Sequence, residues 1–135
     1  MHALARIVLG ASFRNVQTSW VKEGPRFSAY LLGAGCNDLG GTLINESIST
    51  SAGATYGQLQ SPRRLRALVR DIGRIPAERS TLYAIRRRFD ANDDPETALD
   101  RITDSDAVFG SYRKLTESAE FRFEHPAYRR AAGEN

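Results

Sequence analysis

A chain of 135 residues has room for one domain or for a piece of a larger one, and its composition of 41% apolar and 26% charged residues is ordinary for a globular protein. No apolar run approaches the ~20 residues that span a bilayer, and the amino terminus lacks the basic region and long apolar core of a secretory signal, so we expect no membrane partner. One cysteine, Cys36, excludes an internal disulfide framework and favours a reducing, cytoplasmic location.

The net charge of +3 is small, but the charges lie in two opposite blocks. Residues 63–88 hold nine arginines against Asp71 and Glu78, and residues 90–106 hold seven acidic residues against Arg101. Adjacent blocks of opposite sign describe a self-complementary surface more often than a nucleic-acid footprint. No aromatic stripe is interleaved with the arginines, so the sequence predicts no nucleic-acid partner.

The first two predicted elements are a helix and a half-buried strand. Residues 2–9 carry apolar side chains at the spacing of one helix face, but no capping residue precedes them, which suggests that Met1 is an internal methionine of a longer chain. Residues 15–21 alternate, which predicts a strand with one apolar and one polar face. The apolar face holds Val16, Thr18 and Trp20, and the polar face holds Asn15, Gln17 and Ser19. A polar strand face indicates a polar interior or a ligand cavity.

A second helix and a second strand follow. Pro25 suits a first helical turn and Gly35 a stop just after the last one. The predicted buried face comprises Phe27, Tyr30, Leu31 and Ala34. Residues 36–39 come next, and the strand–helix–strand order predicts right-handed, parallel pairing. A long loop of small and polar residues then extends to about residue 60, and such loops are commonly functional or disordered.

Another helix begins at Ser61, which caps it, and ends at Gly73. Pro62 takes its first position, and its predicted buried face comprises Leu65, Leu68, Val69 and Ile72. Two parallel strands cannot close a sheet or cover both of its faces, so this part of the sequence reads as a piece of a larger β/α domain.

The pattern weakens beyond residue 74. A short extended segment is predicted at 79–83, and a helix from 94–96 has Ala98, Leu99 and Ile102 on its apolar side. Another helix is predicted to begin at Ser105 or Asp106 and to bury Val108, Tyr112 and Leu115. A strand or turn at Phe121 and Phe123 and a frayed tail from Arg129 to Asn135 complete the predictions.

Candidate functional residues cluster in the long loop, at the carboxyl end of the second strand, where open α/β sheets and β/α barrels place their ligands. A carboxylate at Asp38 could hold a substrate hydroxyl or amine or act as a base, and the alternative is an Asx-type turn. The alternative for Glu46 is a solvated loop residue. Gly40 and Gly41 either let backbone approach a ligand closely or form a tight turn.

Other chemistry receives little support from the sequence. Gln17 and Ser19 do not titrate at neutral pH, so they are better ligand contacts than catalysts. His2 and His125 lie at opposite ends of the chain, and one cysteine cannot build a thiolate site, so no metal site is predicted. No nucleophile–histidine pairing can be argued either, and the catalytic residues stay unknown.

Three runs carry a resemblance to a known family: N-V-Q-T-S-W-V-K-E-G, G-A-G-C-N-D-L-G-G-T-L-I-N-E-S-I-S and A-G-A-T-Y-G-Q. They resemble the C-terminal region of the radical S-adenosylmethionine family that includes the second subunit of 7,8-didemethyl-8-hydroxy-5-deazariboflavin (FO) synthase. Aminofutalosine synthase and cyclic dehypoxanthine futalosine synthase, from menaquinone pathways, are close relatives. The match covers roughly residues 3–85.

The resemblance implies the fold and the reaction. Residues 1–88 would be the last β/α units of a TIM-like barrel, and residues 89–135 a small helical extension. In such enzymes a [4Fe–4S] cluster cleaves S-adenosylmethionine, the radical acts on tyrosine, and a 4-hydroxybenzyl group joins 5-amino-6-(D-ribitylamino)uracil on the way to FO and coenzyme F420. The implied protein partners are the N-terminal part of the barrel or the other FO synthase subunit.

Two departures from the family pattern stand out. The cluster motif C-x3-C-x2-C has no counterpart, so the cofactor ligands lie outside this sequence and the chain is predicted to be inactive alone. Tyr56 stands where histidine is expected in many relatives. The motifs imply substrate-facing positions at Gln17, Ser19, Asn37, Asp38, Gly40, Gly41, Thr42, Asn45 and Glu46. A menaquinone-type enzyme and a non-catalytic docking or ligand-binding module remain alternatives.

Overall fold

The computed structural model describes residues 1–44 and 46–120, which form short helices and a two-stranded sheet. The helices are α1 (His2–Leu9), α2 (Trp20–Glu23), α3 (Pro25–Gly33), α4 (Ser47–Ser51), α5 (Pro62–Asp71), α6 (Ser105–Phe109) and α7 (Tyr112–Glu117), with 3-10 turns at Gly10–Ser12 and Ala98–Arg101. The strands are β1 (Ala77–Arg79) and β2 (Ile85–Arg88). Within these residues, no helix combines the length and apolar character that crossing a membrane requires. The predictions for Asn45, Phe121, Phe123 and the tail lie outside them.

The predicted parallel pairing is present but short. Gln17 and Asp38 form a single parallel bridge. The Thr18 N–H donates to the Asp38 carbonyl at 2.9 Å, and the Asn37 N–H donates to the Val16 carbonyl at 3.0 Å. The parallel direction is therefore confirmed, whereas full strands over 15–21 and 36–39 are wrong.

The first predicted strand ends early because α2 begins at Trp20. The Glu23 carboxylate accepts hydrogen bonds from the Ser19 N–H at 3.1 Å and from the Thr18 hydroxyl at 2.5 Å. These bonds satisfy the start of the helix and outweigh the β preference of the alternating residues. The alternation still predicted burial correctly, since Thr18 and Trp20 are fully buried.

Helix α3 begins at Pro25 as predicted, but of the predicted face only Leu31 is buried. Ser28, Leu31 and Leu32 point inward, and the Ser28 hydroxyl lies 3.1 Å from that of Thr18. The two aromatic residues that were predicted to be buried are exposed and stack on each other. The inner face was not predicted, because the buried Ser28 at its centre interrupts the apolar pattern.

The main core joins α3, α5 and residues 36–39, which we call the bridge segment because Asp38 forms the parallel bridge. Leu31, Leu32, Cys36 and Leu39 form a buried cluster, and three residues of the predicted α5 face pack against it: Leu65, Val69 and Ile72. The Ser61 side chain accepts from the Arg64 N–H at 3.3 Å, so the predicted cap of α5 is confirmed.

The chain then forms an antiparallel hairpin that the sequence prediction missed. β1 and β2 pair with Ala77 opposite Arg88 and Glu78 opposite Arg87. Residues 79–83, predicted as extended, lead instead into the turn, where the Ser80 N–H donates to the Ala84 carbonyl at 2.9 Å.

The region beyond residue 90 is less regular than predicted. The helix expected from 94–96 is one 3-10 turn, closed by a capping box between Thr97 and Asp100. The helix expected from Ser105 stops at Gly110, whose φ of 81° breaks it, and α7 follows. Val108 and Leu115 are exposed, contrary to the predicted burial.

Candidate functional site

A groove of about 690 Å³ lies between the bridge segment, α5 and the hairpin. One rim is the segment 37–43, which includes the predicted loop residues Asn37, Asp38, Gly40, Gly41 and Thr42. The opposite wall is formed by residues 74–79 and the hairpin turn. Apolar side chains line its interior, among them Leu32, Leu39, Leu65, Val69, Ile85 and Phe89. An apolar concavity with a polar rim is the usual form of a small-molecule site.

Asp38 links three parts of the groove. Its backbone belongs to the parallel bridge, and Oδ1 accepts from the Gly40 N–H at 2.8 Å, which is the Asx-type turn that the sequence left open. Oδ2 accepts from Nε of Arg79 at 2.7 Å. The side chain of Asp38 is only 8% exposed, so this ion pair is largely withdrawn from water.

Arg79 is a groove residue that sequence reasoning missed. Besides its bonds to Asp38, its Nη1 donates to the Ser80 carbonyl at 3.0 Å, and its guanidinium lies 4.3 Å from the centre of the Tyr83 ring. Nothing in the sequence distinguishes it from the eight other arginines of residues 63–88. Only the folded hairpin brings it to a carboxylate 41 positions away.

The glycine turn at the rim needs both of its glycines. Gly40 and Gly41 have φ values of 85° and 87°, a conformation that residues with a Cβ rarely adopt. A Cβ on Gly40 would lie 2.7 Å from Nε2 of Gln17, whereas one on Gly41 would meet nothing within 4 Å. The Trp20 indole N–H donates to the Gly41 carbonyl at 2.7 Å. The turn is therefore stabilised by a hydrogen bond from a buried aromatic side chain.

The Asn37 amide connects the rim to the segment before it. Oδ1 accepts from the Val16 N–H at 2.9 Å and from Arg6 at 3.2 Å. Nδ2 donates to the Arg14 carbonyl and to Oδ1 of Asn15. Asn37 lines the groove, but its polar atoms are engaged by the protein itself.

Gln17 and Ser19 do not line the groove. Gln17 is exposed beside Gly40, and Ser19 lies at the start of α2 next to Glu23. Burial acts to raise the pKa of Glu23, but the hydrogen bonds from Thr18 and Ser19 outweigh it and hold the pKa below its ordinary value.

Glu46 caps a short helix within the predicted loop. Its carboxylate accepts from the Ser49 N–H at 2.9 Å, and its carbonyl accepts from the Thr50 hydroxyl at 2.9 Å. The prediction of an irregular loop to residue 60 is therefore wrong, because Glu46 supplies the cap that α4 needs. Tyr56 then packs over Gly24, where a Cβ would lie 2.8 Å from its ring. Neither Glu46 nor Tyr56 lines the groove.

The described residues do not fit an iron–sulfur cluster. Cys36 is the chain's only cysteine, and it is buried in the core between α3 and α5. Burial, together with the nearby Glu23 carboxylate, raises the pKa of its thiol, although Arg6 partly opposes the shift. Across residues 1–44 and 46–120, no group of three or more histidine, cysteine or acidic side chains converges as metal ligands would.

The two charge blocks of the sequence pair with each other. Arg63 and Arg66 donate to the Asp94 carboxylate at 2.7 Å each, and Arg70 donates at 3.2 Å. These hydrogen bonds, that of Arg66 foremost, hold the pKa of Asp94 well below its ordinary value. The segment around Asp94 is thereby attached to α5, as a self-complementary surface predicts.

A protein-family model described as the CofH/MqnC C-terminal region matches residues 1–92. The chain belongs to this family. The resemblance seen in the three sequence runs is confirmed, and the CofH/MqnC region includes the whole groove rim and the hairpin.

Similar curated proteins carry the name 5-amino-6-(D-ribitylamino)uracil–L-tyrosine 4-hydroxyphenyl transferase. The one from Archaeoglobus fulgidus is 51% identical over 85 residues, which cover 63% of this chain and 25% of the relative. Those from Methanococcus maripaludis strain C7 and Methanothermobacter thermautotrophicus are 47% and 48% identical, over 24% and 23% of their lengths. The chain thus spans about a quarter of the length of these relatives. No solved structure gives a significant match.

Proposed function

We propose that this chain acts as the C-terminal portion of a transferase that joins a tyrosine-derived 4-hydroxybenzyl group to 5-amino-6-(D-ribitylamino)uracil in FO and coenzyme F420 biosynthesis. The observation that carries the proposal is the family match over residues 1–92, which contains the complete rim of the groove. Relatives that are 47–51% identical over this region bear the name of that transferase.

We also propose that residues 1–88 are the last β/α units of a TIM-like barrel and that residues 89–135 are an extension. The parallel bridge between Gln17 and Asp38 supports a parallel sheet, and the family match ends close to the proposed boundary, at residue 92. The contacts of Asp94 with α5 support an extension that docks on the barrel unit instead of standing apart.

Exposed apolar side chains support docking against further protein. Leu4, Ile7 and Val8 on one side of α1 are 59%, 78% and 71% exposed. Contiguous apolar surface of this kind marks an interaction site in monomeric proteins. The proposed occupant is the N-terminal part of a barrel of the same family, and the other FO synthase subunit is the alternative.

The [4Fe–4S] cluster and S-adenosylmethionine would be held by that further protein, because Cys36 is buried in the core and the family's cysteine motif is absent from the sequence. The cluster supplies the radical chemistry when it is bound.

The contribution proposed for this chain is to bind and orient substrate at the groove, with Gly40, Gly41 and Thr42 offering backbone groups at the rim. The family motifs also imply substrate-facing positions at Gln17, Ser19, Asn37, Asp38, Asn45 and Glu46, and of these Asn37 and Asp38 line the groove. A free, buried cysteine supports a cytoplasmic location.

Fragment complementation tests the proposal. The Archaeoglobus fulgidus relative, with the segment that matches this chain removed, would be co-expressed with the chain and assayed anaerobically for transfer product by mass spectrometry. Product formation is expected with both pieces, and none is expected with either piece alone. The relative's own removed segment is the positive control. Restoration by that control but not by this chain would contradict the proposal.

The same assay separates the menaquinone-type alternative. A truncated futalosine-type barrel would replace the truncated transferase, with its own substrates supplied. Activity only in that pairing would move the assignment to the menaquinone branch. Binding of the chain to a truncated barrel without any restored activity would favour a non-catalytic docking module.

A further inference from the structure

We propose that Arg79 is a positioning residue of the groove, which acts through the Asp38 carboxylate to fix the Gly40–Gly41 turn of the opposite rim. Arg79 lies outside the substrate-facing positions implied by the motifs and belongs to the hairpin. The inference concerns the geometry of the groove, so it holds whichever substrate the groove binds.

The ion pair is the first part of the argument. Nε of Arg79 donates to Oδ2 of Asp38 at 2.7 Å, and Nη2 lies 2.5 Å from the same oxygen. The Asp38 side chain is 8% exposed and that of Arg79 is 26% exposed. An ion pair this far withdrawn from water is geometrically demanding, because a misplaced partner leaves a buried charge without compensation.

The hairpin fixes the guanidinium from two further directions. Nη1 donates to the Ser80 carbonyl at 3.0 Å, and the Tyr83 ring lies under the guanidinium at 4.3 Å. Tyr83 has a φ of 62°, which is uncommon for a residue with a bulky side chain. Such backbone strain persists where the surrounding structure over-determines it. The turn of the hairpin is thus built to hold Arg79 in one orientation.

The effect passes from Arg79 through Asp38 to the glycine turn of the same rim. Oδ1 of the same carboxylate accepts from the Gly40 N–H at 2.8 Å, so the orientation of the carboxylate fixes where that N–H points. The next carbonyl, of Gly41, accepts from the Trp20 indole at 2.7 Å. Trp20 is the only tryptophan in the chain, and its single indole N–H resonance therefore reports on the turn.

The test is an amide and indole NMR spectrum of the full chain and its variants. Arg79→Ala is expected to displace the Gly40 and Gly41 amide resonances and the Trp20 indole resonance. Arg79→Lys is expected to give smaller displacements of the same peaks, because lysine keeps one charged bond to Asp38 but not the planar contacts of a guanidinium.

Arg87→Ala is the matched control. Arg87 lies in the same hairpin and also combines an ion pair, to Asp93 at 2.7 Å, with a cation–π contact, to Phe89 at 4.9 Å, yet it does not touch Asp38. This variant is expected to leave the three reporter peaks in place. Unmoved reporters in a folded Arg79→Ala protein, or equal displacement by Arg87→Ala, would overturn the proposal.

A double variant shows whether Arg79 acts through Asp38. Asp38→Asn keeps an oxygen for the Gly40 N–H but removes the charge that holds Arg79. If the coupling runs through this carboxylate, adding Arg79→Ala to Asp38→Asn displaces the reporters little further, because the two effects are not independent. Fully additive displacements would show a separate route and would contradict the inference. Arg79→Lys serves in the same comparison if Arg79→Ala does not fold.

Discussion

Asp38, under the groove rim, and Asp94, beside α5, both bind arginine side chains but differ in exposure and in the number of arginines bound. Asp38 is 8% exposed and binds one arginine, whereas Asp94 is 30% exposed and binds three. The Asp38 carboxylate also accepts from the Gly40 N–H, so it positions backbone that lines the groove. Asp94 joins the segment after β2 to one face of α5. The bond that Asp38 shares with backbone of the groove rim makes the first pair a geometric device, whereas the second joins two segments of the chain through the buried Arg66 and the more exposed Arg63.

The largest effect is expected from Asp38→Ala. The variant leaves the Arg79 guanidinium partly buried without a counter-charge and removes the acceptor of the Gly40 N–H, which together should lower the free energy of unfolding by about 3 kcal/mol. Urea unfolding followed by Trp20 fluorescence measures it. Asp71→Ala, at an exposed position on α5, is the control and should change stability by less than about 0.5 kcal/mol. Equal losses in the two variants would contradict a special role for Asp38.

The next largest loss of stability is expected when either glycine of the rim is replaced by alanine. Gly40→Ala and Gly41→Ala should each lower the free energy of unfolding by about 1 kcal/mol, because both positions have φ near +86°. Only the first also displaces Gln17, whose Nε2 would lie 2.7 Å from the new Cβ. The side-chain amide resonances of Gln17 should therefore move in Gly40→Ala and stay in place in Gly41→Ala. Displacement in both would mean that the turn itself rearranges.

The difference between contacts that are close in the chain and contacts that are distant in it explains which features the sequence predicts. Local signals placed α3 and α5 well, since Pro25, Pro62 and Ser61 occupy the positions that first helical turns favour. The alternation of residues 15–21 predicted the buried Thr18 and Trp20 but not the cap from Glu23 that starts α2. Features that depend on residues close together in the chain can therefore be predicted from the sequence.

The groove is harder to predict because its parts meet over long chain separations. Its rim was found from glycines and a carboxylate at the end of a strand, which are local features. Its far wall was not, because β2 is Ile-Arg-Arg-Arg, without the alternating apolar pattern of a half-buried strand. Nothing near Arg79 in the sequence points to Asp38. Pairing of that kind is decided by the fold as a whole, which no short pattern encodes.

A smaller effect is expected when the Asp94 cluster is broken. Asp94→Ala removes the shared partner of Arg63, Arg66 and Arg70, but the buried Arg66 keeps its hydrogen bond to the Pro95 carbonyl at 2.6 Å, so the free energy of unfolding should fall by less than in Asp38→Ala. Salt screens exposed charges much more than buried ones. Because Arg63 is 52% exposed, raising the salt concentration should narrow the stability difference between Asp94→Ala and the unmodified chain more than the difference between Asp38→Ala and the unmodified chain. Equal salt sensitivity of the two variants would remove the distinction drawn from their burial.

The smallest effect concerns acid. Burial acts to raise the pKa of Asp100, but the hydrogen bonds from the Arg63 N–H, Thr97 and Ser61 outweigh it and lower the pKa to about 2 from 3.8. Because the folded pKa lies below the ordinary value, Asp100 stabilises the fold above about pH 4, and this contribution is lost as the pH falls towards 2. Thermal unfolding of Asp100→Asn should accordingly show a shallower loss of stability between pH 4 and pH 2 than the unmodified chain. Part of the acid loss should persist, because the pKa of Asp94 is lowered as well. An unchanged slope would mean that Asp100 keeps its ordinary pKa, and that the capping box at Thr97 and its contact with α5 are weaker in solution than the geometry indicates.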